Sequence, residues 1–478
     1  MSVPVVLLHG YSDAGPSFRA WREVLSAHGY SPRRVHVSTY KTLTNEVTIR
    51  DLAEAFDRAL RLEAGLGDDQ AFDAIVHSTG MLVIRAWLTQ YGGRARRLKR
   101  LVGLAPATWG SPLAHKGRSW MGAIFKGNKD LVAPDFLEAG DAVLDALELG
   151  SRFTWDLASL DLLGPDVYYG PDGRTPWVFI VCGIESYSGL RAVVNAPGTD
   201  GTVRWAGCAL NTRKIVLDLT RAPRRRAARD RALIAPWRHV DSPLVPIAGV
   251  NHGTILTQPA KGDGLVDLVL RALTVSTRRE YEAWQAAAAR RTAAARAQLR
   301  DERGEWQQFV VRALDERGDP IPDYHLQLVT RDENPLRETA AFETEVHAYQ
   351  TDPSFRCFHL DLRRLRRIDR GRLRVRVLAS SGSTLVTYTG FGSEKLTAAG
   401  AQADGKWDAQ LDMGRVLGDE RVKLFYPLTT TMLELRLDRE PLPLGTRTPP
   451  AIFRFVGLDA LPPPPPPPRV DPDRIQAP

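Results

Sequence analysis

The chain is poor in cysteine and has no long apolar run. Its 478 residues hold three cysteines, Cys182, Cys208 and Cys357, an odd number, far apart and without a Cys-x-x-Cys pair. That argues against a disulfide framework and against a zinc ribbon. No cluster of histidine, cysteine and aspartate has metal-ligand spacing, so neither a metal nor a cofactor is expected. No stretch approaches the roughly 18 apolar residues a membrane span needs. The opening Val-Pro-Val-Val-Leu-Leu run lacks a basic leader and is shorter than a signal-peptide core. It reads as a buried strand. The default expectation is a cytoplasmic protein, with export by a route that needs no signal peptide left open.

What is present has soluble, globular proportions: 43% hydrophobic and 25% charged residues. The length suggests two or three domains with a large core. The net charge of +8 is unevenly placed. Nine basic residues fall between Arg213 and Arg238, five of them in Arg221–Arg226 and Arg229, against only Asp218 and Asp230. A basic excess favours acidic partners. The stretch Arg221–Arg231 has two readings: a solvated loop, or guanidinium groups that meet the phosphates of an anionic membrane surface. Nucleic acid is disfavoured, because no aromatic residues interleave the arginines and no nucleic-acid motif is present.

Through residue 275, short apolar runs alternate with helix-period segments. Val3–Leu8, Val35–Val37, Ala71–Val76, Leu101–Ala105 and Trp177–Cys182 read as strands. Asp51–Ala64 places Leu52, Phe56 and Leu60 on one helical face, and Met81–Gln90 is a second helix. Such alternation implies βαβ units and a mostly parallel sheet. Residues 110–163 interrupt it with a helical, aromatic-rich insertion carrying Trp120, Phe125, Phe136, Phe153 and Trp155. This is either a lid or a small helical subdomain. Residues 277–304 are rich in alanine and arginine and read as one connecting helix. From Trp306 onward, alternation such as Leu433, Leu435 and Leu437 around Glu434 and Arg436 predicts a half-exposed antiparallel sheet. The expected unit is a β-sandwich-like domain over 305–458. Its partner is not identified by the sequence. Residues 459–478 contain seven consecutive prolines and read as an extended polyproline tail.

The local chemistry begins at Phe72-Asp-Ala-Ile-Val-His-Ser78-Thr-Gly80. An apolar strand runs into a serine and then into a helix, the context of a nucleophile elbow. Gly80 supplies the small residue after the serine, whereas Val76 stands where a small residue is usual before it. The turn would aim the Thr79 N–H at a substrate oxygen. His9-Gly10-Tyr11 closes the first strand, and Tyr11 N–H is the candidate second oxyanion donor. A serine needs a base. His252, in Ala-Gly-Val-Asn-His-Gly after the last apolar run, is the candidate. Asp200, in Gly-Thr-Asp-Gly-Thr, is the candidate acid that orients the imidazole. The order Ser78, Asp200, His252 is that of α/β-hydrolases.

These blocks, together with Ala105-Pro-Ala-Thr-Trp-Gly-Ser-Pro and Arg85 on the helix after the serine, resemble serine esterases and lipases of the α/β-hydrolase superfamily. The nearest in pattern are bacterial lipases and the lecithin-acyltransferase-like and GPI-deacylase-like branch. The resemblance covers about residues 1–275. It implies an α/β-hydrolase catalytic domain over 1–276, with 110–163 as a lid-like insertion. It also implies cleavage of carboxylic esters, of lipids or phospholipids, through a Ser-His-Asp triad and an acyl-enzyme. Two rival readings remain: a secreted phospholipase toxin or effector, and a non-catalytic binding protein on a hydrolase scaffold.

Overall fold

The computed structural model describes residues 3–10, 16–31, 35–38, 46–114, 140–170, 174–189, 192, 195–220, 232–234, 244–302, 304–330, 339–340, 345–365, 373–391, 405–413, 423–444 and 447–460. Tyr11, the aromatic insertion residues Trp120, Phe125 and Phe136, the stretch Arg221–Arg231 and the polyproline tail lie outside these.

The first sheet is built from β1 (Val5–Leu8), β2 (Val35–Ser38), β3 (Phe72–His77), β4 (Leu98–Leu104), β5 (Trp177–Gly183) and β8 (Leu244–Ile247). Its order is β2-β1-β3-β4-β5-β8, and every pairing is parallel. β1, β3, β5 and β8 are buried throughout, which is why they read as continuous apolar runs rather than alternating ones. Pro246 sits in β8, at the sheet edge, where a missing N–H is tolerated. The helix Ile49–Leu62 starts on a capping box between Thr48 and Asp51 and buries Leu52, Phe56 and Leu60, the face its periodicity predicts. This is the α/β-hydrolase fold expected from the sequence. The long helix Arg278–Glu302 lies along its edge. Tyr281 donates to the Val178 carbonyl, Trp284 to that of Leu268 and Thr292 to that of Leu244.

The remaining strands form two further sheets. One contains β12 (Glu345–Ala348), β13 (Phe355–Asp361), β9 (Trp306–Asp315), β17 (Thr430–Pro441), β6 (Thr212–Asp218) and β7 (Ala232–Ile234) in that order, with β15 (Val386–Thr389) on β17. The other runs β11 (Thr339–Ala340), β10 (Tyr324–Thr330), β14 (Leu373–Ser380), β16 (Lys406–Asp412). The two stack as a sandwich. Its core includes Val311, Leu435 and Leu437 from one sheet and Val377 and Leu411 from the other.

The structure departs from the sequence expectation in two respects. The larger sheet is mixed, because β17 runs parallel to both β9 and β6. It is also covered on both faces. Val311 and Leu435 face the second sheet, while Trp306, Val310, Phe355 and Met432 join the core of the hydrolase unit. Alternation along a strand reports only that its two faces differ. Here they differ in which neighbour they meet. The strands β6 and β7, within the stretch 1–276, hydrogen-bond into this C-terminal sheet rather than the parallel one.

Of the insertion, the described parts are fixed in place. The helix Arg152–Asp161 is locked to the helix Gly80–Ala95 by a fully buried ion pair. Arg85 Nε and Nη2 donate to the Asp161 carboxylate at 2.7 and 2.8 Å, and Nη1 donates to the Thr108 carbonyl at 2.8 Å. Tyr169 donates to the same carboxylate at 2.6 Å. Removing one partner of such a pair strands a buried charge. Asp161→Ala is therefore expected to lower the unfolding free energy by about 3–5 kcal/mol, read from urea denaturation. A loss below about 1 kcal/mol, the value of an exposed pair, would show that this contact is not what holds the helix.

Candidate active site

β3 ends at His77, and Ser78 turns the chain into the helix that begins at Gly80. Ser78 has φ of 52°, in the left-handed region that non-glycine residues seldom occupy. The strain marks a tight elbow. Two glycines make room for it. A Cβ on Gly80 would stand 2.9 Å from the carbonyl oxygens of Leu8 and His9, and one on Gly10 would stand 2.7 Å from Ser78 Cβ. Val76 is fully buried opposite Gly103 of β4. A Cβ on Gly103 would lie 2.7 Å from Met81 Cε. Gly103, paired with Val76 in the ladder, leaves room for Met81 on the helix that follows the serine.

His252 reaches the serine from the loop after β8. Its Nε2 lies 3.1 Å from Ser78 Oγ and its Nδ1 lies 2.8 Å from Asp200 Oδ2. Asn251 holds the loop by accepting from the Gly253 and Thr254 N–H groups, at 3.1 and 3.0 Å, which opens the short helix Thr254–Thr257. The backbone N–H of His252 donates to the Asp200 carbonyl at 3.0 Å. Asp200 and His252 are therefore joined twice, once through side chains and once through backbone.

Asp200 is completely buried. Its Oδ1 accepts from the Thr202 and Val203 N–H groups at 3.0 and 2.8 Å. The Cys182 thiol lies 3.8 Å from Oδ2, and Cys208 Sγ is 3.4 Å from Cys182 Sγ. Both are free cysteines, and burial pushes the Cys182 thiol well above its ordinary range. The acid loop is braced from outside too. Ser111 donates to the Thr202 carbonyl at 2.6 Å. The backbone of Gly198 lies against Trp306 and His359, whose rings stack at 4.3 Å. Thr430 of β17 donates to the Ala206 carbonyl at 3.1 Å.

Sequence reasoning missed His77. Its Nε2 donates to the His252 carbonyl at 3.0 Å, and the two rings lie 4.7 Å apart. Burial, with help from the neighbouring His252, holds its pKa well below the ordinary histidine value, so it stays neutral. Its place directly before the serine was the available signal. Trp306 and His359 were not findable, since nothing local ties residues over 100 positions away to the Asp200 loop.

The structure thus brings Ser78, His252 and Asp200 into one hydrogen-bonded chain, with Thr79 at the head of the helix beside them. Tyr11 lies outside the described residues, although its neighbour Gly10 abuts Ser78. A hydroxyl, an imidazole and a buried carboxylate in this order can move a proton off the hydroxyl and stabilise the resulting cation. Among the described residues, no three histidine, cysteine, aspartate or glutamate side chains converge as a metal site requires.

Gly10→Ala is expected to overpack the elbow, at a cost of about 1–3 kcal/mol seen as a lowered melting temperature. Gly93→Ala, where the added carbon meets open space, serves as the control and should leave the melt unchanged or raise it. Equal melts for the two variants would show that the Gly10–Ser78 contact is not tight.

No protein-family model matches the chain, and a search of curated proteins gives no match. Solved structures do match. Phospholipase PlaB from Legionella pneumophila is similar at 22% identity and a TM-score of 0.71, covering 96% of this chain and 97% of that one. PlaB in complex with thio-NAD is similar at 22% identity and a TM-score of 0.72, with the same coverage. The mature lipase BlEst2 from Bacillus licheniformis is similar at 13% identity and a TM-score of 0.36, over 57% of this chain and 93% of that one. The fold shared with PlaB therefore includes the C-terminal sheets as well as the α/β-hydrolase unit.

Proposed function

We propose that the chain is a serine hydrolase that cleaves carboxylic esters of lipids, with a phospholipid as the favoured substrate. The observation that carries the reading is the His252 imidazole, spanning Ser78 Oγ and the buried Asp200 carboxylate. His252 takes the proton of Ser78 as its oxygen attacks the ester carbonyl. The N–H groups of Thr79 and Tyr11 hold the oxyanion. Asp200 keeps the imidazole in the tautomer with Nδ1–H and stabilises the cation. His252 then passes its proton to the leaving alcohol, and water, activated by the same base, releases the acid and restores Ser78. The name of the PlaB structure, a phospholipase, supports a lipid ester as substrate. The non-catalytic reading is disfavoured by the strained φ of Ser78, a cost without purpose in an inert scaffold.

Access to a lipid surface is assigned to the stretch Arg221–Arg231, between the acid and base loops in sequence. No helix among the described residues is long and apolar enough to cross a membrane, so contact with lipid would be made at its surface. Arginine pairs well with phosphate oxygens there. The effector reading adds export to the same chemistry and changes no residue role.

Two experiments test the proposal. Ser78→Ala should abolish labelling by a fluorophosphonate and lower phospholipid hydrolysis by a factor of about 10⁴ or more, and Asp200→Asn by about 10⁴. An adduct that persists in Ser78→Ala refutes the nucleophile assignment. Replacing Arg224, Arg225 and Arg226 together by Gln should slow hydrolysis of anionic vesicles and leave that of a short soluble ester unchanged. Equal losses on both substrates would refute the surface role.

A further inference from the structure

The sandwich holds an apolar cavity away from the serine, on the face of the larger sheet that looks away from the hydrolase unit. The space open to the centre of a water-sized sphere is about 100 Å³, and it continues into open solvent. Domain interiors seldom leave voids larger than a water molecule. The walls are aliphatic and aromatic: Ile215, Phe309 and Leu433 from one sheet, Leu326 and Val375 from the other, and Phe425 at the end. Gln327 is the one polar residue among the described lining. Phe309, Leu326, Val375, Phe425 and Leu433 all keep partial exposure although they pack against the sandwich core. The space therefore opens to solvent.

The register gives its shape. Phe358, Phe309 and Val311, Leu433 and Ile215 line it from β13, β9, β17 and β6, four neighbouring strands. Three strand spacings amount to roughly 14 Å. The space thus spans four strands and is walled by apolar side chains apart from Gln327. Two cationic residues stand close in the chain to this lining, Lys423 beside Leu424 and Arg213 two positions before Ile215. Lys423 precedes the lining residues Leu424 and Phe425, and its carbonyl accepts from Arg213 Nη2 at 2.8 Å. Both cationic groups sit over the Tyr426 ring, at 4.4 and 4.7 Å from its centroid.

We propose that this cavity binds a long-chain free fatty acid, with the aliphatic chain between the sheets and the carboxylate at Lys423 and Arg213. Such an acid is what ester cleavage would release, but the binding stands apart from that reaction and does not require it.

The test uses the full chain carrying Ser78→Ala, so that no readout depends on hydrolysis and failure of the hydrolase reading leaves it intact. Titration with cis-parinaric acid should give saturable fluorescence. The added pair Leu326→Phe and Val375→Phe, which fills the space, should weaken binding at least tenfold. Lys423→Ala should weaken binding of the acid several-fold and leave its methyl ester unaffected. A diazirine-bearing fatty acid should crosslink to peptides of β9, β14 and β17, a result that stands even if the filled variant folds poorly. Absence of binding overturns the proposal, as does equal binding by the filled variant, or a crosslink confined to peptides around Ser78. An acid and ester equally affected by Lys423→Ala overturn the fatty acid as occupant.

Discussion

The burial of Asp200 is the constraint on which the rest of the structure turns. A carboxylate taken wholly out of water must have its oxygens met by donors, or its cost is severe. Here two backbone N–H groups take one oxygen, and the imidazole and a thiol face the other. The two N–H groups, of Thr202 and Val203, sit on a loop with little regular structure of its own. The loop must therefore be held from both sides. Cys182 of β5 closes it from within, and Trp306, His359 and Thr430 close it from the C-terminal sheet.

That arrangement makes the C-terminal sheets part of the unit that holds Asp200 rather than an appended module. The larger sheet is a shared wall. One face fills the sandwich, the other completes the core around the acid loop. β6 ties the two regions covalently as well as by packing, since it follows the acid loop and ends up between β17 and β7. Removing residues after 305 would take away Trp306, His359 and Thr430 and uncover apolar surface beside the Asp200 loop.

The parallel sheet and the elbow were legible because both are written locally. A buried strand, a serine and a helix are consecutive, and most of the parallel strands are largely apolar runs. His252 and Asp200 were legible by chain order and by the Gly-rich turns around them. The destination of β6 was not. Thr212–Asp218 looks like a strand whichever sheet receives it, and its partner Thr430–Arg436 lies over 200 residues away. The double coverage of β9 and β17 was hidden for the same reason. Periodicity separates two faces and does not say what lies beyond them. Val76 departs from the motif, and its ladder partner Gly103, which leaves room for Met81, belongs to another strand.

The pair His77 and His252 shows how charge is kept in order at the site. Under the proposed mechanism His252 becomes a cation for part of the cycle. A second imidazolium with its ring centre 4.7 Å away would oppose that cation directly. Burial removes the problem by keeping His77 neutral. Neutrality in turn fixes its tautomer, because Nε2 must carry the proton that it donates to the His252 carbonyl. The same bond anchors the backbone from which the His252 side chain projects. His77 thus holds the His252 backbone while Asp200 holds its imidazole. Only the second of these partners carries the charge that the cation needs.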